Sequence, residues 1–543
     1  MEMPTHASGG AASAPARFLL TRMLFMLLQP DSSGDAGGRP TGLETRDAPA
    51  SSPCRSANAH LPDAVAWMAV WAVAWVSVLM ALSWSPPTDS VEQLVWVRSI
   101  EWGYHKHPPL PTMMIWPLVQ LFGIHEWVVS AAGALVISGA LLISWRLVRE
   151  LAGRHFAALA MLGSLSITYY SGRTNFYNHN TVLLLFVAAA AWFCWRAFAD
   201  RSPRAWLALG LMLGLGALAK YQVVLAALCV IVFWLTQRGW RDPLHLRGLL
   251  NAALVAAVVF APHLWWLVAH DFLPFRYAAH TSLGAAMACA QRAAHAVHWL
   301  ADQCNRLSPA LLLAAGLLWK TRRETVPASP DPVPAVAPDA RVFLLIWGLL
   351  PLLTIVLIGL VTGADLQFQW GTAFMSFTCA ALMLFLPEGR WHRIERRDAV
   401  TGFLAVQILL FAMTWVMSPM SGLGLSKSRS AGFRSEHFAA RIGPPARTVL
   451  GGPVRIVAGS ARIASAFALR MPERPLVLLD GDMTASPWLS VAQIRRHGVL
   501  WVGDENSAPP PGLERHWVTG KLWWSVQLPE PAPSAQEDEL SGD

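Results

Sequence analysis

The feature that most constrains this chain is a series of apolar stretches between residues 62 and 417, each about 16 to 20 residues long. An α-helix of that length crosses the hydrocarbon core of a bilayer, because it rises about 1.5 Å per residue. With 54% hydrophobic and only 14% charged residues, the 543-residue chain also has too little charge to cover a soluble protein of its size. The sequence therefore predicts an α-helical polytopic membrane protein.

We predict about eleven transmembrane helices within a membrane domain at residues 61–420. Their expected ranges are 62–83, 127–145, 155–170, 181–197, 205–219, 222–237, 249–268, 307–319, 341–361, 371–386 and 399–417. Residues 1–60 are rich in Ala, Gly, Pro and Ser, a composition typical of a disordered tail. The proline-rich segment 327–339 is interpreted as a spacer.

The net charge of +8 is explained by basic loops, so no nucleic-acid partner is expected. Arginine and lysine concentrate in alternate loops, at residues 146–154, 196–204, 238–247, 320–323 and 390–397. The positive-inside rule makes these loops cytoplasmic, with the amino terminus inside and the carboxyl terminus outside. After them, VRIVAG, PLVLLDGD and GVLWVGD indicate strands that alternate with helices, which predicts a small outer α/β domain at residues 425–543.

Polar side chains collect in the loops that this topology places outside. They are Asp89, Glu92, His105 and His107; Asn175, Asn178, His179 and Asn180; Lys220 and Tyr221; and Asp365, Gln367 and Gln369. Several loops that bring polar groups to one membrane face would form a site at the membrane surface. Asp89 or Glu92 would suit a general base that accepts a proton from a hydroxyl, although two solvated loop charges explain them equally well.

Each of the other polar groups also has a simpler structural explanation. Lys220 would either extend its ammonium to the interface from a helix end or bind a phosphate. Asn180 is a natural N-cap for the helix that follows, and the double proline after His107 suits the first turn of a helix. His295 and His298 have the spacing of two metal ligands, but no third ligand is evident, so we predict no metal site and leave a divalent cofactor open.

Three segments together resemble the polytopic glycosyltransferases of family 39, of the C fold class, which include protein mannosyltransferases and the lipid A aminoarabinose transferase. TDSVEQLVWVRSIEWGYHKHPPLPTMMIW, beginning at Thr88, resembles the family's first outer loop, with an acid after the first span and His-Pro-Pro-Leu at its end. NHNTVLLLF, from Asn178, and GLGALAKYQVVL, which contains Lys220, resemble two later motifs. The resemblance covers roughly residues 84–240.

The resemblance implies a transferase that moves a sugar from a polyprenyl-phosphate donor to a lipid, glycan or protein acceptor on the outer side of a bacterial inner membrane. It makes Asp89 the proposed base, with Glu92 beside it. It implies substrate contacts from Tyr104, His107, Arg173, Asn178, His179, Lys220 and Tyr221. This chain departs from the family pattern in three places. The usual adjacent acidic pair is replaced by Asp89-Ser90 with the second acid at Glu92, and His179 or Asn180 stands where the second motif often has an aspartate. DLQFQWGT, Asp365 to Thr372, replaces a later basic or tyrosine-containing motif.

A polytopic transporter of a lipid-linked or small substrate is the main alternative. Transporters bind their substrates near the middle of the bilayer, often between internal repeats. Here no repeat is visible and ionisable residues are nearly absent from the centres of the predicted spans. This distribution favours the transferase, as it does over a purely structural membrane protein.

Overall fold

The computed structural model describes residues 61–283, 287–323, 335–387, 390–426 and 428–530. The predicted tail at 1–60 and residues 327–334 of the spacer lie outside the described residues. Six helices in the described ranges are long and apolar enough to cross a membrane, and three shorter apolar helices accompany them. The chain is therefore a helical, polytopic membrane protein, while the count of eleven spans stays a prediction.

The helical part is built from thirteen elements in the described ranges, which we number in chain order. They are α1 (Leu61–Ala81), α2 (Thr88–Trp96), α3 (Leu110–Phe122), α4 (Glu126–Ser166), α5 (His179–Ala199), α6 (Pro203–Ala219), α7 (Val224–Thr236), α8 (Pro243–Ala269), α9 (Leu273–Ala278), α10 (Cys289–Arg323), α11 (Pro338–Thr362), α12 (Thr378–Met383) and α13 (Arg396–Val416).

Helix α4 contains 41 residues, which is too long for one crossing of a bilayer. Its helical conformation is broken at Gly153, where φ is 80° and ψ is 170°. A side chain would strain the backbone in this conformation, and glycine adopts it freely. The break divides α4 into two segments, and these correspond to the spans predicted at 127–145 and 155–170.

The structure differs from the predicted spans in three places. Helix α10 begins at Cys289, well before the predicted residue 307, because its first half is helical but too polar to be recognised as a span. The predicted span 371–386 is instead a 3₁₀ segment, Phe368–Phe374, followed by the short helix α12. Helix α3 directly follows the double proline and adds a short apolar helix that was not predicted.

A buried amide joins the first and last helices of the bundle. The indole N–H groups of Trp71 and Trp75 donate to the Oε1 atom of Gln407, at 3.2 and 2.9 Å. Gln407 is 5% exposed, and an unpaired amide oxygen at such a position would cost free energy. The two tryptophans thus fix α1 against α13.

The C-terminal part contains a five-stranded mixed sheet with the strand order β2-β1-β3-β5-β4. The strands are β1 (Ile456–Gly459), β2 (Leu476–Leu479), β3 (Val499–Asp504), β4 (His516–Thr519) and β5 (Leu522–Gln527). Strands β1, β2 and β3 lie in the three segments predicted as strands and are parallel, whereas β4 and β5 add an antiparallel hairpin that was not predicted. The flanking helices are α14 (Ser435–Leu450), α15 (Ala466–Arg470) and α16 (Val491–His497).

The sheet packs on α2 and on the loop that follows it. Trp96 and Tyr104 belong to the same hydrophobic core as Ile442 and Phe467 of the C-terminal part. One ion pair adds to this packing: Arg470, at the end of α15, donates to Glu126, at the start of α4, at 2.6 Å. The helix that carries both candidate carboxylates is therefore held between the bundle and the sheet.

Candidate active site

Helix α2 places Asp89 and Glu92 three residues apart, on neighbouring positions of one helix face. The Oδ2 atom of Asp89 accepts a hydrogen bond from Nδ2 of Asn178 at 2.9 Å. Glu92 is buried and accepts from Nζ of Lys106 at 2.6 Å. Burial alone would lower the pKa of Lys106, but the Glu92 carboxylate outweighs it and the pKa is raised. The two acids therefore have different partners, a neutral amide and a cation.

Asn178 holds its amide in a defined orientation towards Asp89. Its Oδ1 atom accepts from the backbone N–H of Thr181 at 3.0 Å, so Asn178 is the N-cap of α5. The cap predicted at Asn180 is wrong. Because the oxygen of Asn178 is occupied by the cap, its amino group is directed to Asp89.

Asn180 instead contacts the lysine that the sequence placed in the site. The Nζ atom of Lys220, at the end of α6, donates to Oδ1 of Asn180 at 2.6 Å. Burial lowers the pKa of Lys220 to about 8, and the Asp89 carboxylate opposes that effect. An amide oxygen does not neutralise an ammonium, so this cation retains a charge for an anionic ligand.

His107 and His179 meet edge to face, with ring centroids 3.5 Å apart. The turn before the double proline presents His107, because the backbone N–H of Tyr104 donates to the His107 carbonyl at 3.0 Å. Burial, with smaller effects from His179, Lys220 and Lys106, holds the pKa of His107 well below its usual value. His107 is therefore a neutral imidazole near neutral pH. Both ring nitrogens of His179 are buried and have no hydrogen-bond partner among the residues that the structure describes.

The two tyrosines of the predicted site have partners within the protein. Tyr104 stacks on Trp96 with a centroid distance of 4.7 Å, and its hydroxyl donates to the Ser99 carbonyl at 2.8 Å. The Tyr221 hydroxyl lies 2.9 Å from Nε2 of His263, whose Nδ1 atom lies 2.6 Å from the Trp102 carbonyl. Since a carbonyl only accepts, Nδ1 donates and Nε2 accepts from Tyr221. Both tyrosines support the loop Trp102–Leu110.

Arg173 comes from the segment between α4 and α5 and is flanked by aromatic rings. Its guanidinium carbon lies 4.6 Å from the ring centroid of Phe176 and 4.8 Å from that of Phe368. Sequence reasoning assigned no role to Lys106, Phe368 or Arg306, although Lys106 and Arg306 were among the few cations of the predicted outer loops. The position of these two cations in loops with few positive charges was the sequence feature that could have indicated a role for them.

A cavity of about 410 Å³ lies beside this group, between the bundle and the sheet. Its walls come from the Trp102–Leu110 loop, from the turn after α8 and from the segment after β2, and include Gly103, His105, Trp266, Arg276, Met483 and Thr484. Gly103 permits the close approach of Trp266, since a Cβ atom there would be 2.3 Å from its indole. In the described part of the chain, no three His, Cys, Asp or Glu side chains are grouped as metal ligands.

Comparison with known proteins shows several to which this chain is similar. Residues 106–266 match the family model described as dolichyl-phosphate-mannose-protein mannosyltransferase. Two curated relatives from Rhizobium johnstonii are similar to this chain. Lipid A galacturonosyltransferase RgtD is 24% identical over 55% of the chain and 61% of RgtD. Lipopolysaccharide core galacturonosyltransferase RgtA is 28% identical over 37% of the chain and 40% of RgtA. The chain thus matches about three fifths of RgtD, the longer alignment.

The fold extends the similarity beyond the matched residues. ArnT from Cupriavidus metallidurans, in a crystal structure with bound undecaprenyl phosphate, superposes with a TM-score of 0.57 and 14% identity, covering 85% of this chain and 98% of ArnT. The apo structure of the same protein gives 0.56 and 17%. The resemblance to the polytopic glycosyltransferases of family 39 is thereby confirmed, by the family model over residues 106–266 and by a fold shared over most of the chain.

Proposed function

We propose that this protein is a membrane glycosyltransferase that moves a sugar from a polyprenyl-phosphate donor to a hydroxyl group of an envelope glycolipid. The observation that carries the proposal is the Asp89 carboxylate, which among the described residues has the Asn178 amide as its partner at 2.9 Å, while Lys220 is bound to Asn180, two residues further along, at 2.6 Å. A proton acceptor next to an unneutralised cation suits the transfer of a sugar from a phosphate. The ArnT structure with undecaprenyl phosphate and the relatives named for lipid A and the lipopolysaccharide core support this choice of donor and acceptor.

Asp89 acts as the general base in this reaction. The acceptor hydroxyl gives its proton to the Asp89 carboxylate as its oxygen forms a bond to the anomeric carbon. The bond between that carbon and the phosphate oxygen breaks, and its electron pair leaves with polyprenyl phosphate. A phosphate is a stable anion, so no acid is needed to protonate the leaving group. A nearby carboxylate also favours the positive charge that develops on the sugar ring.

Lys220 holds the phosphate of the donor and stabilises the negative charge that accumulates there. Its ammonium is fixed by Asn180 at 2.6 Å, which places a cation without requiring a further change in side-chain position. His107 and His179 line the same region as neutral rings. The Glu92–Lys106 pair, at 2.6 Å, holds the wall formed by Trp102–Leu110 in place.

The cavity of about 410 Å³ between the bundle and the sheet provides room for part of the acceptor. In this proposal, residues 61–420 form the membrane domain and residues 425–543 form an outer domain that contacts the acceptor. It also requires the site to lie on the periplasmic side of a bacterial inner membrane. A reporter fused after Ser421 should be active only outside the cytoplasm, and one fused within residues 327–339 only inside. A reversed result would place the site on the wrong side of the membrane.

A direct assay tests the reaction itself. Purified protein, given a polyprenyl-phosphate donor with a labelled sugar and an extract of envelope glycolipids, should release polyprenyl phosphate and label the glycolipid. A transporter would instead move an intact donor between the two sides of a vesicle without releasing polyprenyl phosphate. That outcome would reject the transferase.

A further inference from the structure

Two guanidinium groups share one aromatic ring at the edge of the site. Arg173 lies 4.8 Å from the ring centroid of Phe368, and Arg306, from the middle of α10, lies 5.2 Å from it. Arg306 also faces the ring of Tyr169 at 5.5 Å. Three separate parts of the chain thus bring two positive charges together.

The faces of both guanidinium groups are covered by rings, but their edges are not used. Among the residues that the structure describes, neither side chain donates a hydrogen bond or forms an ion pair, and the Nε atom of Arg306 is buried without a partner. Stacking on a ring leaves the in-plane N–H groups free, which are the groups that bind a carboxylate in a bidentate manner. Two unneutralised, partly buried cations repel each other, and a bound anion would remove that repulsion.

The arginine pair is near the reacting groups but separate from the lysine. Burial lowers the pKa of Lys220 to about 8 and that of Arg173 to about 10, and the Asp89 carboxylate opposes the effect at both. Lys220 is attached to Asn180 at the end of α6, whereas Arg173 and Arg306 meet on Phe368. The structure therefore offers two distinct cationic positions, and Arg173 belongs to the same segment between α4 and α5 as Asn178, the partner of Asp89. A donor with only one anionic group would use only one of them.

We propose that Arg173 and Arg306 bind the carboxylate of the donor sugar, which is a hexuronic acid attached to the polyprenyl phosphate. This inference rests on the proposed function and specifies its donor. The phosphate and the carboxylate of such a donor are attached at opposite sides of the sugar ring oxygen, at the anomeric carbon and at C5. Such a donor has two anionic groups and the structure offers two cationic positions, so we assign the phosphate to Lys220 and the carboxylate to the arginine pair.

Two donors that differ at one carbon test the proposal. One carries a hexuronic acid, and the other carries the matching hexose, which has a CH₂OH group in place of the carboxylate. Wild-type protein should use the hexuronosyl donor with a kcat/KM about 10 to 100 times higher, the range expected for a charge-assisted contact. Arg306→Gln should lose this preference and retain the rate with the hexosyl donor, which also shows that the variant is folded.

The affinity for polyprenyl phosphate without a sugar identifies which anion the arginines bind. Arg306→Gln should bind it as wild type does, whereas Lys220→Ala should bind it more weakly. Weaker binding of polyprenyl phosphate by Arg306→Gln would assign the arginine pair to the phosphate and overturn the proposal. Arg515→Gln is the matched control, because Arg515 also stacks on a ring, that of Trp523 at 5.8 Å, but lies just before β4 in the C-terminal part.

The outcomes separate this inference from the proposed function. Equal use of both donors by the wild-type protein would overturn the hexuronic acid and leave the transferase intact. No transfer from either donor, under conditions in which polyprenyl phosphate still binds, would overturn the transferase and the inference together. If Arg306→Gln does not fold, Phe368→Leu removes the shared ring and should lower the same preference.

Discussion

Asp89 and Glu92, one turn apart on helix α2, present the same chemical group in opposite electrostatic situations. Asp89 is partly exposed and is bound by one neutral amide, whereas Glu92 is 4% exposed and is bound by the ammonium of Lys106 at 2.6 Å. Burial raises the pKa of Glu92 and the Lys106 ammonium opposes that rise. Protonation of Glu92 would leave the Lys106 cation unpaired in a partly buried place, so the pair is suited to a structural role. The surroundings of each acid, rather than its position in the chain, therefore distinguish a base from a structural group.

The largest effect is expected at Asp89. Asp89→Asn keeps the size of the side chain but removes the charge that accepts the proton, so the rate of transfer should fall about 10²- to 10⁴-fold. Single-turnover transfer to a saturating acceptor measures this step. The amount of protein in the membrane should not change, since Asp89 contributes little to the packing of the bundle.

Glu92→Gln is the control for this comparison. A near-normal rate for Asp89→Asn together with an inactive Glu92→Gln would make Glu92 the base and Asp89 the structural group. Normal rates for both variants would exclude base catalysis by this helix.

Lys220 provides a second test, since its ammonium is bound by the neutral amide of Asn180 and not by a carboxylate. Lys220→Ala should weaken the binding of polyprenyl phosphate by about 10- to 100-fold, the range for one charge-assisted contact. Binding of the phosphate without a sugar, measured by calorimetry, isolates this contact from the chemical step. Unchanged affinity would mean that the lysine only extends from a helix end. Lys521→Ala, on the exposed sheet hairpin, controls for a general effect of charge.

The pH dependence of donor binding follows from the same lysine. Because burial lowers the pKa of Lys220 to about 8, the free protein loses this positive charge as the pH rises through about 8. Affinity for polyprenyl phosphate should be constant below that value and fall by up to about tenfold per pH unit above it. Lys220→Arg keeps its charge in this range and should abolish the decline. An identical decline in Lys220→Arg would assign it to another group.

The smallest effect on the rate is expected from the substitution of Glu92. Glu92→Gln should change transfer by less than about tenfold but lower the free energy of unfolding by about 1–3 kcal/mol, because it leaves Lys106 partly buried without a counterion. Thermal unfolding in detergent measures the loss. Adding Lys106→Met should recover part of it. If the double variant is as unstable as the sum of both single variants, the pair is not coupled.

The membrane part was predictable from sequence because long apolar runs have few alternatives to a transmembrane helix. The boundaries failed where composition changes within one element. Helix α10 was recognised only in its apolar second half, so Arg306, in the polar half, received no role. Helix α14 was missed because Pro444 and Pro445 lie inside it, which is unusual for a helix.

The site was predictable as a set of loops but not as a set of contacts. The polar residues of the first three loops do meet, through the bonds of Asn178 with Asp89 and of Lys220 with Asn180. The partner of Glu92 could not be assigned, since Lys106 is fourteen residues away along an irregular loop. Which cation is paired and which is free depends on side-chain directions that spacing does not specify.

Because α2 packs against the sheet, the candidate site depends on residues that are synthesised last. Ser85, just before α2, bonds to Ser435, which follows 350 residues later. A ribosome needs on the order of tens of seconds to add such a length. During that time the apolar helices have already entered the bilayer, while α2 still lacks the sheet core that holds Trp96 and Tyr104. A chain that stops before β1 therefore lacks the sheet that packs on α2, and we expect no sugar transfer from it.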